Sequence, residues 1–172
     1  MALLPILVLG DKRLREKADP VSEVGDAERQ LIDDMMETMH DAPGIGLAAT
    51  QVGVPKRIIV VDTTGGEEEG EVLILVNPEI SCPDGEQVGQ EGCLSVPEEY
   101  AEVKRPASLH LKALDRDGNP VDRVVDDLLA RVICHEVDHL DGILFVDHLS
   151  SLKRSLIARR VRKLVAREEQ SA

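Results

Sequence analysis

The segment HEVDH at 135–139 sets two imidazoles four residues apart with a carboxylate beside the first. On a helix such residues project from one face one turn apart, so His135 and His139 can share a metal ion. Glu136, about 100° around the same helix, reaches a water beside the ion without being a ligand itself. This is the outline of metal-assisted hydrolysis with a carboxylate moving protons. Such a site needs a third protein ligand and an open position. An HExxHxxGxxH arrangement fails, because the place of its third His is taken by Phe145, and the only acids beyond Asp147 are Glu168 and Glu169. Of the three cysteines, Cys134 adjoins His135 and should point off the ligand face, and Cys82 lies in the turn-like SCPDG. Cys93 lies in EGCLSVP, where Gly92 and Pro97 let the backbone bend a thiolate toward one point. A single Cys is more often a small buried hydrophobe than a ligand. Cys93 is therefore a leading candidate that spacing alone does not settle.

These side chains need elements to hold them. Leu128, Leu129, Val132, Ile133 and Leu140 follow helical spacing, so a helix is predicted from Asp127, as its N-cap, to Asp141, with Gly142 where it would stop. An earlier amphipathic helix is predicted from Asp26 as N-cap, through Leu31, Ile32, Met35, Met36 and Met39, to a stop near Pro43. Between them lie the β-branched runs RIIVVD, EVLILVNPEI, SLHLKALD and PVDRVVD, the last two joined by the hairpin signal RDGN. A last helix is predicted over about 151–169, with Leu152, Leu156, Ile157, Val161, Leu164 and Val165 on one side. The opening MALLPILVLG reads as an N-terminal strand rather than a signal, and TTGGEEEGE at 63–71 as a solvated loop. The expected class is α+β, with antiparallel strands packed around the central HExxH-bearing helix and with one N-terminal and one C-terminal helix.

With 172 residues and 42% apolar content, the chain is expected to be one catalytic domain over 1–172. A net charge of −13, a single Tyr, a single Phe and no Trp argue against a general nucleic-acid binder. Three cysteines read as reduced thiols, hence a cytoplasmic protein, and no stretch approaches the roughly 20 apolar residues of a membrane span. The charge is unevenly spread: residues 150–172 hold 7 Lys/Arg against 2 Asp/Glu, a local +5 that leaves −18 for residues 1–149. The basic C-terminal helix is therefore a candidate surface toward nucleic acid.

GIGLAATQ at 44–51, EGCLS at 91–95 and HEVDHLDG at 135–142, in this order, resemble the three signature motifs of the peptide deformylases. The likeness extends to GDKRLREKADPV near the start, NPEI at 77–80, the RP and LDRDG segment at 105–118, and LFVDHLS at 144–150. The resemblance implies hydrolysis of the N-formyl group from the formyl-methionine of nascent polypeptides, with release of formate. It implies Cys93, His135 and His139 as metal ligands, Glu136 as the catalytic acid and base, and Gln51 with the Leu94 backbone N–H as donors to the reacting oxygen. It implies Fe(II) as the ion, with Zn(II) or another divalent ion also accepted, and contact with the ribosome. Under the same likeness Gly44, Ile45 and Gly46, otherwise an ordinary turn, become an edge where an extended peptide pairs, and Ile45, Leu128 and Val132 line a methionine pocket. Two positions depart from the common pattern: Cys134, where many members have Gln, and Asp127, where many have Gly. The reach of Arg131, one turn before His135, is not set by spacing.

Two rival readings remain. A general zinc endopeptidase lacks its usual third ligand here, and a closed structural Cys/His site leaves Glu136 without a role and needs a fourth ligand, for which Asp138 projects the wrong way.

Overall fold

Four consecutive β-branched or aliphatic residues, Ile58 to Val61, form a strand whose side chains are buried on both faces, and the architecture is arranged around it. The computed structural model describes residues 2–65 and 70–171. Helix α1 (Asp26–Asp41) precedes strands β1 (Gly46–Ala48), β2 (Ile58–Asp62), β3 (Val72–Asp84), β4 (Gln87–Cys93), β5 (Val96–Arg105), β6 (Ser108–Leu114) and β7 (Pro120–Asp126). Helices α2 (Asp127–Leu140) and α3 (Ser151–Ser171) follow. Strands β1-β2-β3-β6-β7 make a five-stranded antiparallel sheet in that order, and β4 and β5 form a separate antiparallel hairpin. The class is α+β, as expected.

Strand alternation sends Ile59 and Val61 to one side of β2 and Ile58 and Val60 to the other. The first pair packs with Leu75, Leu109 and Leu111 against Ile133, Val137 and Leu140 of α2. The second packs with Leu47 and Val76 against Ile32, Met35 and Met39 of α1. Helix α2 is thus seated on the sheet by a stripe of fully buried side chains. Each contributes about 1.5–3 kcal/mol when removed from water, so the orientation of its opposite, polar edge is firmly set. The third cluster joins Val96 and Val103 of the hairpin to Phe145 and to Ile157 and Val161 of α3.

Several sequence expectations are corrected. Residues 2–9 form no strand, although Leu7 and Leu9 donate backbone bonds to Gln51 and Ser95. The N-cap of α1 is Gly25, and Asp26 lies inside the first turn, where its charge faces the positive helix end. The N-cap of α2 is Asp126, and Asp127 takes φ 49°, a left-handed conformation that Asp tolerates and Gly adopts freely. Cys82 lies in β3 near a register irregularity, with φ 51°. Leu152 and Leu156 of α3 are exposed, because Ile157 and Val161 carry the contact with the body. The β4–β5 hairpin was not among the expected strands. Of the expected loop at 63–71, residues 66–69 lie outside the described residues.

Candidate active site

The polar edge of α2 brings His135, Glu136 and His139 toward the β4–β5 hairpin. Strand β4 ends at Cys93, which pairs with Val96 across a two-residue turn formed by Leu94 and Ser95. This turn sets the cysteine opposite the helix: Cys93 Sγ lies 3.3 Å from His139 Nε2, which in turn lies 3.3 Å from His135 Nε2. One donor atom from each of the three residues falls within 4.8 Å of the others. The sulfur also accepts from Ser95 N at 3.4 Å and Gln51 Nε2 at 3.5 Å, donors suited to a thiolate. Three such atoms this close to one another need a shared proton or a cation between them. This donor set, one thiol and two imidazoles, fits a divalent ion of the zinc or ferrous type.

Glu136 stands beside this cluster rather than in it. Its Oε1 is 3.8 Å from His139 Nε2 and, buried, has no hydrogen-bond partner among the described residues. Burial pushes the carboxyl up to about 7, against the pull of the neighbouring His135 charge. A group of that acidity both takes and gives a proton near neutral pH. Burial also drives His139 well below the ordinary imidazole range, which keeps its nitrogen lone pair available.

His135 is oriented from behind. Its Nδ1 lies 2.8 Å from Glu91 Oε1, so a proton on Nδ1 is held there and Nε2 faces the cluster. Burial alone would lower His135, but its bonds to Cys93 and Glu91 raise it well above the ordinary value. Glu91 is itself buried, which by itself would raise it, yet Arg105, donating from Nε and Nη2 at 2.9 Å each, and His135 hold it down to about 2. Neither Glu91 nor Arg105 was foreseen from sequence. Glu91 stands two residues before Cys93 in β4, a strand that the sequence did not reveal, so its place beside the cluster had no sequence signal.

The cluster opens into a cavity of about 810 Å³. Its walls include the expected Gly44, Ile45, Gly46, Gln51, Cys93, Leu94, Leu128, Val132, His135 and Glu136, while His139 lies buried below them. Strand β1 lies at one edge of its sheet, pairs only with β2, and brings Gly46 to the cavity wall. Gln51 is anchored by Oε1, which accepts from Ala48 N at 2.9 Å, leaving Nε2 to face Cys93 and Ser95 Oγ. Cys134 is buried on the sheet side, away from the cluster, and burial pushes its thiol up to about 11. Arg131 is buried but lines the cavity wall, and it donates to Glu91 Oε2 at 2.7 Å rather than to any of the three converging residues.

Residues 3–155 match the model of the family described as polypeptide deformylase. This chain belongs to that family. The peptide deformylase of Alkalilimnicola ehrlichii is 54% identical over 167 residues, covering 96% of this chain and 92% of the relative. That of Pseudomonas aeruginosa is 56% identical over 165 residues, covering 95% and 96%. The crystal structure of a peptide deformylase from Legionella pneumophila superposes with a TM-score of 0.91 at 45% identity over 99% of each chain. Membership makes the protein a hydrolase of protein biosynthesis that removes the N-formyl group from nascent polypeptides.

Proposed function

We propose that Cys93, His135 and His139 hold one divalent ion and that Glu136, Gln51 and the Leu94 N–H carry out deformylation around it. The observation that supports this most directly is the unpartnered Glu136 Oε1 beside three converging donors at the floor of the cavity. When bound, the ion supplies Lewis acidity, which eases deprotonation of water and polarises the formyl group. Glu136 takes a proton from the attacking water as the new C–O bond forms at the formyl carbon. It returns that proton to the nitrogen as the C–N bond breaks, so formyl amide and water give formate and a free amine. The charge on the former carbonyl oxygen is met by Gln51 Nε2, anchored through Oε1 to Ala48 N, and by the Leu94 N–H of the β4–β5 turn.

The substrate enters as an extended strand along Gly44, Ile45 and Gly46, where the chain leads into β1, with its first side chain against Ile45, Leu128 and Val132. All of this takes place within one catalytic domain, 1–172. We assign Fe(II) as the working ion, with Zn(II) or another divalent ion able to replace it, since Cys/His ligands suit both. No described helix is long and apolar enough to cross a membrane, and the enzyme is proposed to act in the cytoplasm. Nascent chains are met at the ribosome, toward which the basic α3 is turned.

Formate release from a formyl-Met peptide, compared with cleavage of the same peptide without the formyl group, tests the reading. Formate from the first and no products from the second are expected. Internal cleavage of the unformylated peptide would favour an endopeptidase, and stoichiometric metal with no hydrolysis of either would favour a structural site.

A further inference from the structure

Arg131 and His135 stand four apart on α2 and grip the two oxygens of a single carboxylate. Arg131 Nη1 donates to Glu91 Oε2 at 2.7 Å, and His135 Nδ1 lies 2.8 Å from Glu91 Oε1. The same Nη1 reaches Val103 O at 3.0 Å and Gly89 O at 3.2 Å, one carbonyl on each strand of the hairpin that carries Cys93. Arg131 is 7% exposed, and its guanidinium packs so closely on Gly89 that a β-carbon built there would stand 3.1 Å from Nη2. Arg105 completes the group, spanning both Glu91 oxygens and passing on to Asp138 Oδ2 at 2.7 Å. Two guanidiniums thus balance two carboxylates behind the site. Without Arg131, Glu91 would keep only Arg105 and His135 as partners.

We propose that Arg131 is a positioning residue for the metal centre: through Glu91 it fixes the ring of His135, and through Gly89 and Val103 it holds the Cys93 hairpin against α2. Two ligands from separate elements are thereby referred to one rigid side chain. Arg105 fixes the carboxylate from the hairpin side and reaches α2 through Asp138, whereas Arg131 reaches from α2 to the carboxylate and to both strands of the hairpin. All three acceptors are met by Nη1, and Nη2 is buried with no hydrogen-bond partner among the described residues.

The inference rests on the metal reading above, and the test separates the two. Full-length protein is loaded with cobalt(II), and its visible spectrum and rate of cobalt loss to a chelator are measured for wild type, Arg131→Met, Glu91→Gln and the double variant. Loss from Arg131→Met is expected to be about ten- to a hundredfold faster, the range for removing support behind a metal ligand, with altered sulfur-to-cobalt bands. In the Glu91→Gln background most of this effect should vanish, because the two residues act through one contact. Arg131→Lys should recover part of it. Loss rates and spectra within twofold of wild type, or fully additive effects of the two substitutions, overturn the proposal. Where Arg131→Met does not fold, Arg131→Gln is judged by the same criteria. Wild-type protein that holds no cobalt removes the metal reading and this inference together, whereas tight binding unaffected by Arg131 removes only the inference.

Discussion

Gly46 leaves no room for a side chain beside the Glu136 carboxyl group: a β-carbon built there would stand 2.9 Å from Oε2 and 3.0 Å from both Cδ and Cγ. Gly46 is also the register partner of Val61, so β1 cannot retreat without breaking the sheet edge. Glycine at this position is therefore required by close approach. Gly46→Ala is expected to displace the Glu136 carboxylate by a few tenths of an ångström or more while leaving Cys93, His135 and His139 in place. Metal content measured by mass spectrometry should match wild type, and kcat/KM for a formyl-Met peptide should fall by about ten- to a hundredfold, since misplacement on this scale is costly in catalysis. Activity within twofold of wild type would mean that the carboxylate does not need its observed position.

Glu136→Gln keeps shape and burial and removes the proton acceptor. Turnover should fall by roughly 10² to 10⁴ or more with metal retained, the usual range for losing general acid and base help. A folded, metal-loaded Gln variant that released formate near the wild-type rate would send the search for the base elsewhere.

The same substitution has a second consequence in metal-free protein. The folded-state carboxyl stands at about 7 against an ordinary 4.5, so folding favours its protonated form. Below the ordinary value Glu136 carries no charge in either state and costs nothing. As pH rises toward and past 7, the unfolded chain is ionised while the folded site must expel or bury the charge, and stability is lost. Gln pays no such cost. The stability advantage of Glu136→Gln over wild type, measured by urea denaturation in chelator, should grow between about pH 5 and 7 and level off at up to roughly 3 kcal/mol. A difference independent of pH over that window would show that burial does not penalise this carboxylate.

Much of this site was legible because helical spacing is explicit: HEVDH declares its own geometry, and the stripes of α1 and α2 declare which way each helix faces. The β4–β5 hairpin was not legible. Its strand QVGQEGC mixes Gly and Gln with few β-branched residues, since β4 is held by pairing with β5 and by the Glu91 ion pairs, while β5 supplies the apolar contact through Val96 and Val103. For the same reason Arg105 and Arg131 were silent: a buried guanidinium is identified by the carboxylate it meets, and Glu91 lies 14 residues away in sequence from one and 40 from the other. The fit of Leu152 and Leu156 to a helical stripe misled, because periodicity gives a face without saying how much of its length is covered.

Cys93 and Cys134 should separate cleanly. Cys93→Ala removes the only sulfur among the converging donors, so metal and activity should be lost together. Cys134 packs against the sheet with a protonated thiol, and Cys134→Gln should preserve both. Stoichiometric metal in Cys93→Ala would overturn the ligand assignment.

Ribosome contact is best tested by charge, not by truncation. Deleting the residues beyond Ser150 would also remove Ile157 and Val161, which are buried against Phe145 and Val96, and would confuse lost binding with lost stability. Arg160 is committed to an ion pair with Glu99 and is better left alone. Arg159, Arg162, Lys163 and Arg167 are exposed on α3, so replacing these four with Gln removes charge while sparing the core. Attraction to ribosomal phosphate should weaken steeply with salt, because binding releases counterions from the nucleic acid. Co-sedimentation of wild-type protein with ribosomes at low salt is therefore expected, with loss at high salt and in the four-Gln variant under both conditions. Turnover of a short free formyl-Met peptide should stay within about twofold, since none of the four touches the metal cluster. Co-sedimentation of the variant equal to wild type and insensitive to salt would reject the basic helix as the docking element.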